Sequence, residues 1–490
     1  LIAGSTKLGD GNLLAAIDGT LSNGPYVLNE DLHKINGLLK YSTDNWSLGL
    51  SGYHTRYNAT DQIPQRAIDS GLIPRFGNID PFLGGRVSRV AANFNGDFDG
   101  TKVSAFAIGY KFLLTSNFTY FLDDPVNGDE FQQRDQRGIF GGSVSHEFPL
   151  TLFGADTKLR IGADTRFDRI GKVGLYHSVR GVQTSTVRQD RVDEYGVGLY
   201  GEAEMRLAPD VRLILGLRGD TIGYRVKSGL AANSGSGSAT LLAPKAALAW
   251  KVSDGVELYA NYGESFHSND VRGATITVDP ASGDPVDRVP VMSRARGAEL
   301  GARLERGTLV ATAVGYYLTL GSELVFVGDA GTTEPQDASR RYGTELSFFW
   351  RPLKDLTIDG EAALTNARFR HTAEDRIPNS LTSVLAGGVS ADLGSGLTAT
   401  MRVRHFGSAP LIEDGSARSD PTTIVNLGGY VERGRFKISL DLLNLFNARD
   451  ADIAYFYASR LPGEPAQGVE DFHFHPIEPR ELRTTIRLRL

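Results

Sequence analysis

The run ELRTTIRLRL, Glu481 to Leu490, decides how the whole chain is read. Leu482, Thr484, Ile486, Leu488 and Leu490 alternate with Arg483, Thr485, Arg487 and Arg489. A period of two sends these sets to opposite faces of a strand. In a soluble domain the leucines would turn to a core and the arginines to water. In a membrane barrel the leucines face lipid and the arginines face a wet interior.

The same alternation recurs along the chain. Trp46, Leu48 and Leu50 share a face in NWSLGLSGY. Leu159, Ile161, Ala163 and Phe167 oppose Arg160, Asp164 and Arg166. Val211, Leu213, Leu215 and Leu217 oppose Arg212 and Arg218, and Val256, Leu258, Ala260 and Tyr262 oppose Glu257 and Asn261. Such stretches run about 9–11 residues, the length a tilted strand needs to cross a bilayer. Globular strands are shorter, about 5–6 residues.

Composition agrees with a β architecture. The chain has 57 Gly and 9% aromatic residues but 3 Met and 3 Trp. By length alone its 490 residues make roughly three soluble domains or one large closed structure. A net charge of −6 argues against a nucleic-acid partner. With no Cys, a disulfide framework, a thiolate nucleophile and a zinc–thiolate site are all excluded. No run of about 18 apolar residues marks a spanning helix. A mean hydropathy of −0.21 is compatible with a barrel, whose lipid-facing and lumen-facing residues alternate. The segment at Leu1 reads as a strand entered part-way and carries no signal peptide.

The connections separate the two readings of the tail. Short turns fall at 42–45, 97–100, 208–210, 253–255, 305–307, 352–355, 393–396 and 432–434. Between them lie long connections near 56–85, 113–133, 171–191, 225–239, 267–293, 321–339, 367–379, 407–420 and 446–479. Long loops confined to one end are foreign to compact soluble domains. Short periplasmic turns opposite long extracellular loops describe an outer-membrane barrel. With the first hairpin near 8–11 and a loop near 22–34, the expected fold is an all-β, antiparallel transmembrane barrel with roughly 21 visible strands. Bacterial barrels of this kind have an even number, so one strand is expected before Leu1, for about 22 in all. The final strand, Glu481 to Leu490, is then expected to pair with that strand, or with the first visible one under strain.

Aromatic residues form two bands, as interfacial girdles do. Trp46, Phe98, Trp250, Trp350 and Phe436 stand beside short turns. Tyr57, Phe112, Tyr224, Phe266 and Phe326 stand where strands meet long loops. One long loop predicts a short helix, with Asp61 as cap, Pro64 near the first turn and Gly71 just past the end. AANSGSGSAT, Ala231 to Thr240, reads as a flexible loop tip.

Several stretches resemble the TonB-dependent outer-membrane receptors. They are LLNLFNARD (Leu442 to Asp450) ahead of an Arg-initiated final strand, and YGESFHSNDVRGATITVDPASGDPVD (Tyr262 to Asp287) followed by RARGAELGAR. TDQIPQRAIDSGLIPRFGNIDP (Thr60 to Pro81) in an early loop is the third. The resemblance spans residues 1–490 as barrel. It implies a 22-stranded barrel occluded by an N-terminal plug. It also implies uptake of a scarce solute, most often a siderophore–iron complex, powered by the inner-membrane TonB–ExbB–ExbD complex. Two departures stand out: no plug domain or TonB box is legible in the chain, and it ends on Leu490 where these barrels usually present Phe or Trp. The alternatives are a passive porin-like channel and a surface adhesin or structural barrel.

Two clusters are the expected ligand contacts, on extracellular loops. In EDFHFHPIEPR, Asp471, His473 and His475 share a face of an extended segment, with Glu478 following. Two imidazoles beside carboxylates also suit a metal or metal chelate, against the simpler reading of a structured loop over the mouth. In SFHSNDVRG, His267, Asn269, Asp270 and Arg272 stand where a strand enters a long loop. There they would hold a hydrophilic ligand or set the turn. Mixed lumen charges such as Glu202, Glu299, Asp359, Arg402, Arg483 and Arg487 expect water and a plug as partners. No phosphate-cradling loop or catalytic triad is recognisable, so no enzyme, cofactor or resident metal is expected. The expected partners are outer-membrane lipid, a small-molecule ligand and the TonB complex, with the barrel a monomer.

Overall fold

The computed structural model describes residues 1–327 and 332–489, with the side chains of 324–336 left aside. Leu490, the Phe326 ring and the middle of the 321–339 connection therefore lie outside the described residues. One antiparallel sheet of 21 strands runs from Ile2–Leu8 to Glu481–Leu488, each strand bonded to its neighbours in sequence. Every rung is thus a local hairpin. Tight turns at Asp99-Gly100, Phe153-Gly154 and Ser395-Gly396 hold both central residues at positive φ, the type I′ geometry that matches strand twist. The Phe153-Gly154 turn is unmarked in the sequence, where the apolar run PLTLF carries straight into it.

The tail resolves as the barrel reading requires. Leu482, Ile486 and Leu488 stand opposite Leu442, Ile438 and Phe436, while Arg483 and Arg487 stand opposite Asp441 and Lys437. Ile486 is 69% exposed with its whole apolar row. No described protein layer covers that row, so hydrocarbon is the environment that removes it from water. On the inner face, Arg160 bridges Glu147 and Glu202 at 3.1 and 3.6 Å, and Arg218 lies between Asp164 and Asp220 at 2.7 and 2.6 Å. Arg160 with Glu147 and Arg218 with Asp164 are 36–43% exposed, so each of those two pairs contributes at most about 1 kcal/mol.

Four expectations need correction. The 171–191 connection is not a loop. Strands Ala155–Val179 and Val182–Ala208 continue as one hairpin to a tight turn at Arg180-Gly181. Apolar Ile170, Val173 and Val192 keep one face of it buried, which sustains strand geometry above the membrane. The 225–239 loop shrinks likewise to 229–234. Ala231 to Thr240 is anchored, because the wholly buried Asn233 accepts from the Thr277 and Val278 amides and donates to the Val278 carbonyl. Lastly, no ladder joins Glu481–Leu488 to Ile2–Leu8 among the described residues, so the last strand does not pair with the first visible one. In the girdle, Tyr224 and Phe266 pack against a buried cluster above the membrane.

Candidate ligand-binding site

Two loop assemblies fold over the long-loop end of the barrel, and the sequence-predicted residues divide between them. The first is built by the last long loop. Its hairpin, Ala451–Ser459 with Val469–Pro476, gains a third strand from Ile63–Pro64 of the early loop, through Pro64 opposite His473 and Ile63 opposite Phe474. The predicted helix follows at Gln65–Asp69, but its N-cap is Pro64, which offers no side-chain acceptor. Asp61 is committed elsewhere, accepting from the Asn117 amide at 2.9 Å. Asp471 does the capping from the other loop, accepting from the Arg66 amide at 2.9 Å. An anionic group at a helix start is favourable because the first amides there lack partners.

Arg66 joins the two loops. Its guanidinium donates to both Glu464 oxygens at 2.8 and 2.9 Å, to Asp471 at 3.3 Å, and to the Ser459 carbonyl and hydroxyl at 2.9 and 3.0 Å. A third loop joins through Tyr120, whose hydroxyl donates to the Gln62 carbonyl at 2.7 Å and whose ring packs on Ala67 and Leu461. A fourth joins through Tyr26, hydrogen-bonded to His475 at 2.8 Å. Asn444 ties the base, accepting from the Ala448 amide and donating to the Glu478 carbonyl.

His473 and His475 serve different partners. His473 is wholly buried, stacked 3.8 Å from the Tyr457 ring, with ring nitrogens on Ser459 Oγ at 2.7 Å and the Asp471 carbonyl at 2.9 Å. His475 reaches Asp452 at 3.0 Å and Tyr26. Glu478 is exposed. Among the described residues no group of three or more His, Asp or Glu converges as a metal site would.

Burial pulls the His473 imidazole down to about 4, so it is neutral at pH 7. The unfolded cap has a histidine near 6.5 and binds more protons between those values. The His473 contribution is therefore complete above pH 6.5 and falls on acidification to about 4, by about 3 kcal/mol at most. Asp61 acts with the opposite sign. Burial pushes its carboxyl up to about 6, so its contribution is lost as pH rises from 3.8 to 6. The expected result is thus a difference. Hydrogen exchange in residues 451–476 should lose the acid-dependent part of its opening in His473→Gln. Parallel wild-type and variant pH profiles would refute the assignment.

The second assembly is the loop after strand Val256–Ser268. Val271 and Ala274 pack on Ile170, Val173, Val192, Ile222 and Val226, which carries the loop over the barrel mouth. Asn269 closes its neck, its amide donating to the Val291 carbonyl at 2.8 Å and its side chain to the Pro290 carbonyl at 2.5 Å. Asp270 accepts from Arg272 at 2.6 Å and from its amide at 2.9 Å. Burial alone would raise the Asp270 carboxyl, but Arg272 and Arg188 outweigh it and hold it at about 2. His267, at the strand end, keeps the phase of Glu257 and Asn261 on the inner face.

Beneath this loop lies a charge cluster that sequence reasoning missed. Arg188 pairs with Asp190 at 2.5 Å, both fully buried, and reaches the Arg272 carbonyl at 3.5 Å. Arg137 pairs with Asp135 and lies 3.8 Å from Asp168, which holds Arg166 at 2.6 Å. A signal existed. DQR at 135–137, RFD at 166–168, RQD at 188–190, RGD at 218–220 and DVR at 270–272 all set Arg and Asp two residues apart. On a strand that spacing puts both on one face.

The sequence profile of the family described as TonB dependent receptor-like, beta-barrel matches residues 20–447. The chain is a TonB-dependent receptor barrel. Solved receptors share its fold. The ferric citrate transporter FecA aligns with a TM-score of 0.77 at 14% identity, over 99% of this chain and 74% of that one. The ferric yersiniabactin uptake receptor FyuA from Yersinia pestis gives 0.73 at 13%, over 99% and 77%. The ferric-catecholate import receptor Fiu from K12 E. coli, closed form, gives 0.74 at 13%, over 99% and 79%. No curated protein sequence matches. As a TonB-dependent receptor barrel the protein resides in the bacterial outer membrane, with its long loops outside the cell.

Proposed function

We propose that this barrel is the translocation pathway of an active importer that captures a siderophore–iron complex and delivers it to the periplasm using energy from the TonB–ExbB–ExbD complex. The supporting observation is the pair of loop assemblies folded over the mouth, which cover a lumen too wide for side chains to fill. A mouth built that way suits capture of a scarce solute better than free diffusion. Receptors of the same fold are described as taking ferric citrate, ferric yersiniabactin and ferric catecholates, which supports a ferric chelate as the substrate class.

In this reading His267, Asp270, Arg272, His475 and Glu478 face the ligand, while Asn269, Asp471 and His473 hold the loops that present them. The inner charges are of both signs, so they suit a polar chelate held by charge-assisted bonds. The test is uptake of iron-loaded chelates by cells carrying the full receptor. Uptake should cease when TonB is removed, and His267→Ala should weaken binding roughly tenfold, about one hydrogen bond. TonB-independent uptake, or a large constitutive conductance of the purified receptor, would replace this reading by a passive channel.

A further inference from the structure

In the charge cluster beneath the second loop assembly every guanidinium already has its aspartate: Arg137 with Asp135, Arg166 with Asp168, Arg188 with Asp190 and Arg272 with Asp270. One acid is left over. Glu194 stands on the inner face of strand Val182–Ala208, next below Val192 on that face and directly across the ladder from Asp168. Like charges placed opposite each other destabilise a strand pair. Among the described residues Glu194 has no ion-pair or hydrogen-bond partner. It lies above the bilayer. A tilted strand crosses in about 9–11 residues, and Glu194 is further than that from the short turn after Ala208. Its cross-strand neighbour on the other side is Tyr224.

The loop itself makes the surroundings of this carboxyl. Above it Val192, Ile222 and Val226 pack under Val271 and Ala274 of the loop, which keeps water from that side. Asp168 of the wall and Asp270 of the loop are the negative charges acting on it, and Arg166 and Arg137 are the positive ones. Both guanidiniums are already engaged, and Arg166 is 58% exposed and so screened by water. The acids therefore prevail. Burial first, then Asp168 and Asp270, push the Glu194 carboxyl up to about 7. Below it the wall is open, since a Cβ at Gly196, next on that face, would meet nothing within 4 Å. Lumen water reaches the half-buried carboxyl from there and exchanges its proton.

From this arrangement we infer that Glu194 is a proton-operated latch for the loop between Asn269 and Val291. With its proton on, the carboxyl is neutral and free to donate a hydrogen bond to either aspartate. With the proton released to lumen water, three carboxylates repel one another, and the loop lifts with Asp270 and its apolar cover. Lifting rehydrates the group and returns it towards its ordinary 4.5, so the seated loop binds more protons between 4.5 and 7. Seating is fully favoured below about 4.5 and is lost as pH rises through about 7. The mouth is covered in acid and loosens in alkali. On the reading above this loop presents Asp270 and Arg272 to the ligand, but the latch belongs to the loop and needs no cargo.

The test is hydrogen exchange of the full natural receptor in non-ionic detergent, without ligand and corrected for the intrinsic pH dependence of exchange. In the wild type the opening constant of residues 269–291 should rise at least tenfold from about pH 5.5 to about pH 8. Glu194→Gln should stay seated and give a flat profile over that range. Asp168→Asn removes one repelling charge and frees Arg166, so the midpoint should move down by roughly one pH unit. Heat-modifiable migration reports that each variant is folded. On the wild type alone, the infrared band of a protonated carboxylic acid should titrate away near 7. The latch is overturned by a wild-type profile that is flat or of opposite slope, or by the absence of that band. A Glu194→Gln profile parallel to the wild type, or an unmoved midpoint in folded Asp168→Asn, overturns it equally. TonB-independent uptake would replace the transport reading and leave this result standing.

Discussion

Arg188→Met is expected to free the loop between Asn269 and Val291 while leaving the barrel wall intact. Arg188 and Asp190 are 4% and 0% exposed in their side chains, so no solvent screening reduces the effect. One oxygen of Asp190 already lacks a hydrogen-bond partner. Removing the guanidinium strands a carboxylate that is fully buried and leaves Arg272 as its nearby opposite charge, and breaking a buried pair costs about 3–5 kcal/mol. The Arg188 contact to the Arg272 carbonyl goes too, and with it the support that Arg188 lends to the Asp270 charge. Hydrogen exchange across 269–291 should accelerate by at least a hundredfold, as roughly 3 kcal/mol dictates. The double variant Arg188→Met/Asp190→Leu should recover most of the loss, since an apolar replacement of both partners removes the stranded charge. Unchanged exchange in the single variant would show that the apolar cluster alone holds the loop.

The second large effect is at Arg66. Arg66→Met deletes five side-chain hydrogen bonds that span two loops. It leaves Glu464 and Asp471, 22% and 16% exposed, facing each other's charge. Because water reaches them a little, roughly 2–4 kcal/mol is expected, below the value for a sealed pair. Lysine is not a conservative rescue: an ammonium cannot make the planar two-pronged contact to Glu464. The cap should therefore detach as a unit, read as faster exchange in both 60–70 and 451–476. If only one of those segments responds, Arg66 is not the link between them.

The architecture was legible because barrel walls are periodic. Strand length, alternation and the division of long and short connections all repeat, so twenty-odd weak signals reinforce one another. What stayed hidden is local and crosses loops. Asp61 has the chemistry of a cap, yet Asn117 takes it and Asp471 caps from some four hundred residues away. His473 and His475 look equivalent on an extended segment, but one is sealed under Tyr457 and the other meets Asp452. No window of sequence carries that difference. The Arg–x–Asp repeats were readable in principle. They are invisible to a hydrophobic-periodicity scan because both members are polar.

The cap also has a bearing on assembly. Each rung of the wall joins sequence neighbours, so the sheet can grow by short-range steps as a curled ribbon whose two edges are not laddered to each other among the described residues. The Arg66 and Tyr26 contacts instead tie the opening segments to the closing one. Closing so long a loop from a free coil would be slow. Once the ribbon has curled, its ends already lie side by side and the closure is nearly free. The cap is then the last element to form. It behaves as a clasp, and its protection from exchange is a readout that the opening and closing loops have been brought together.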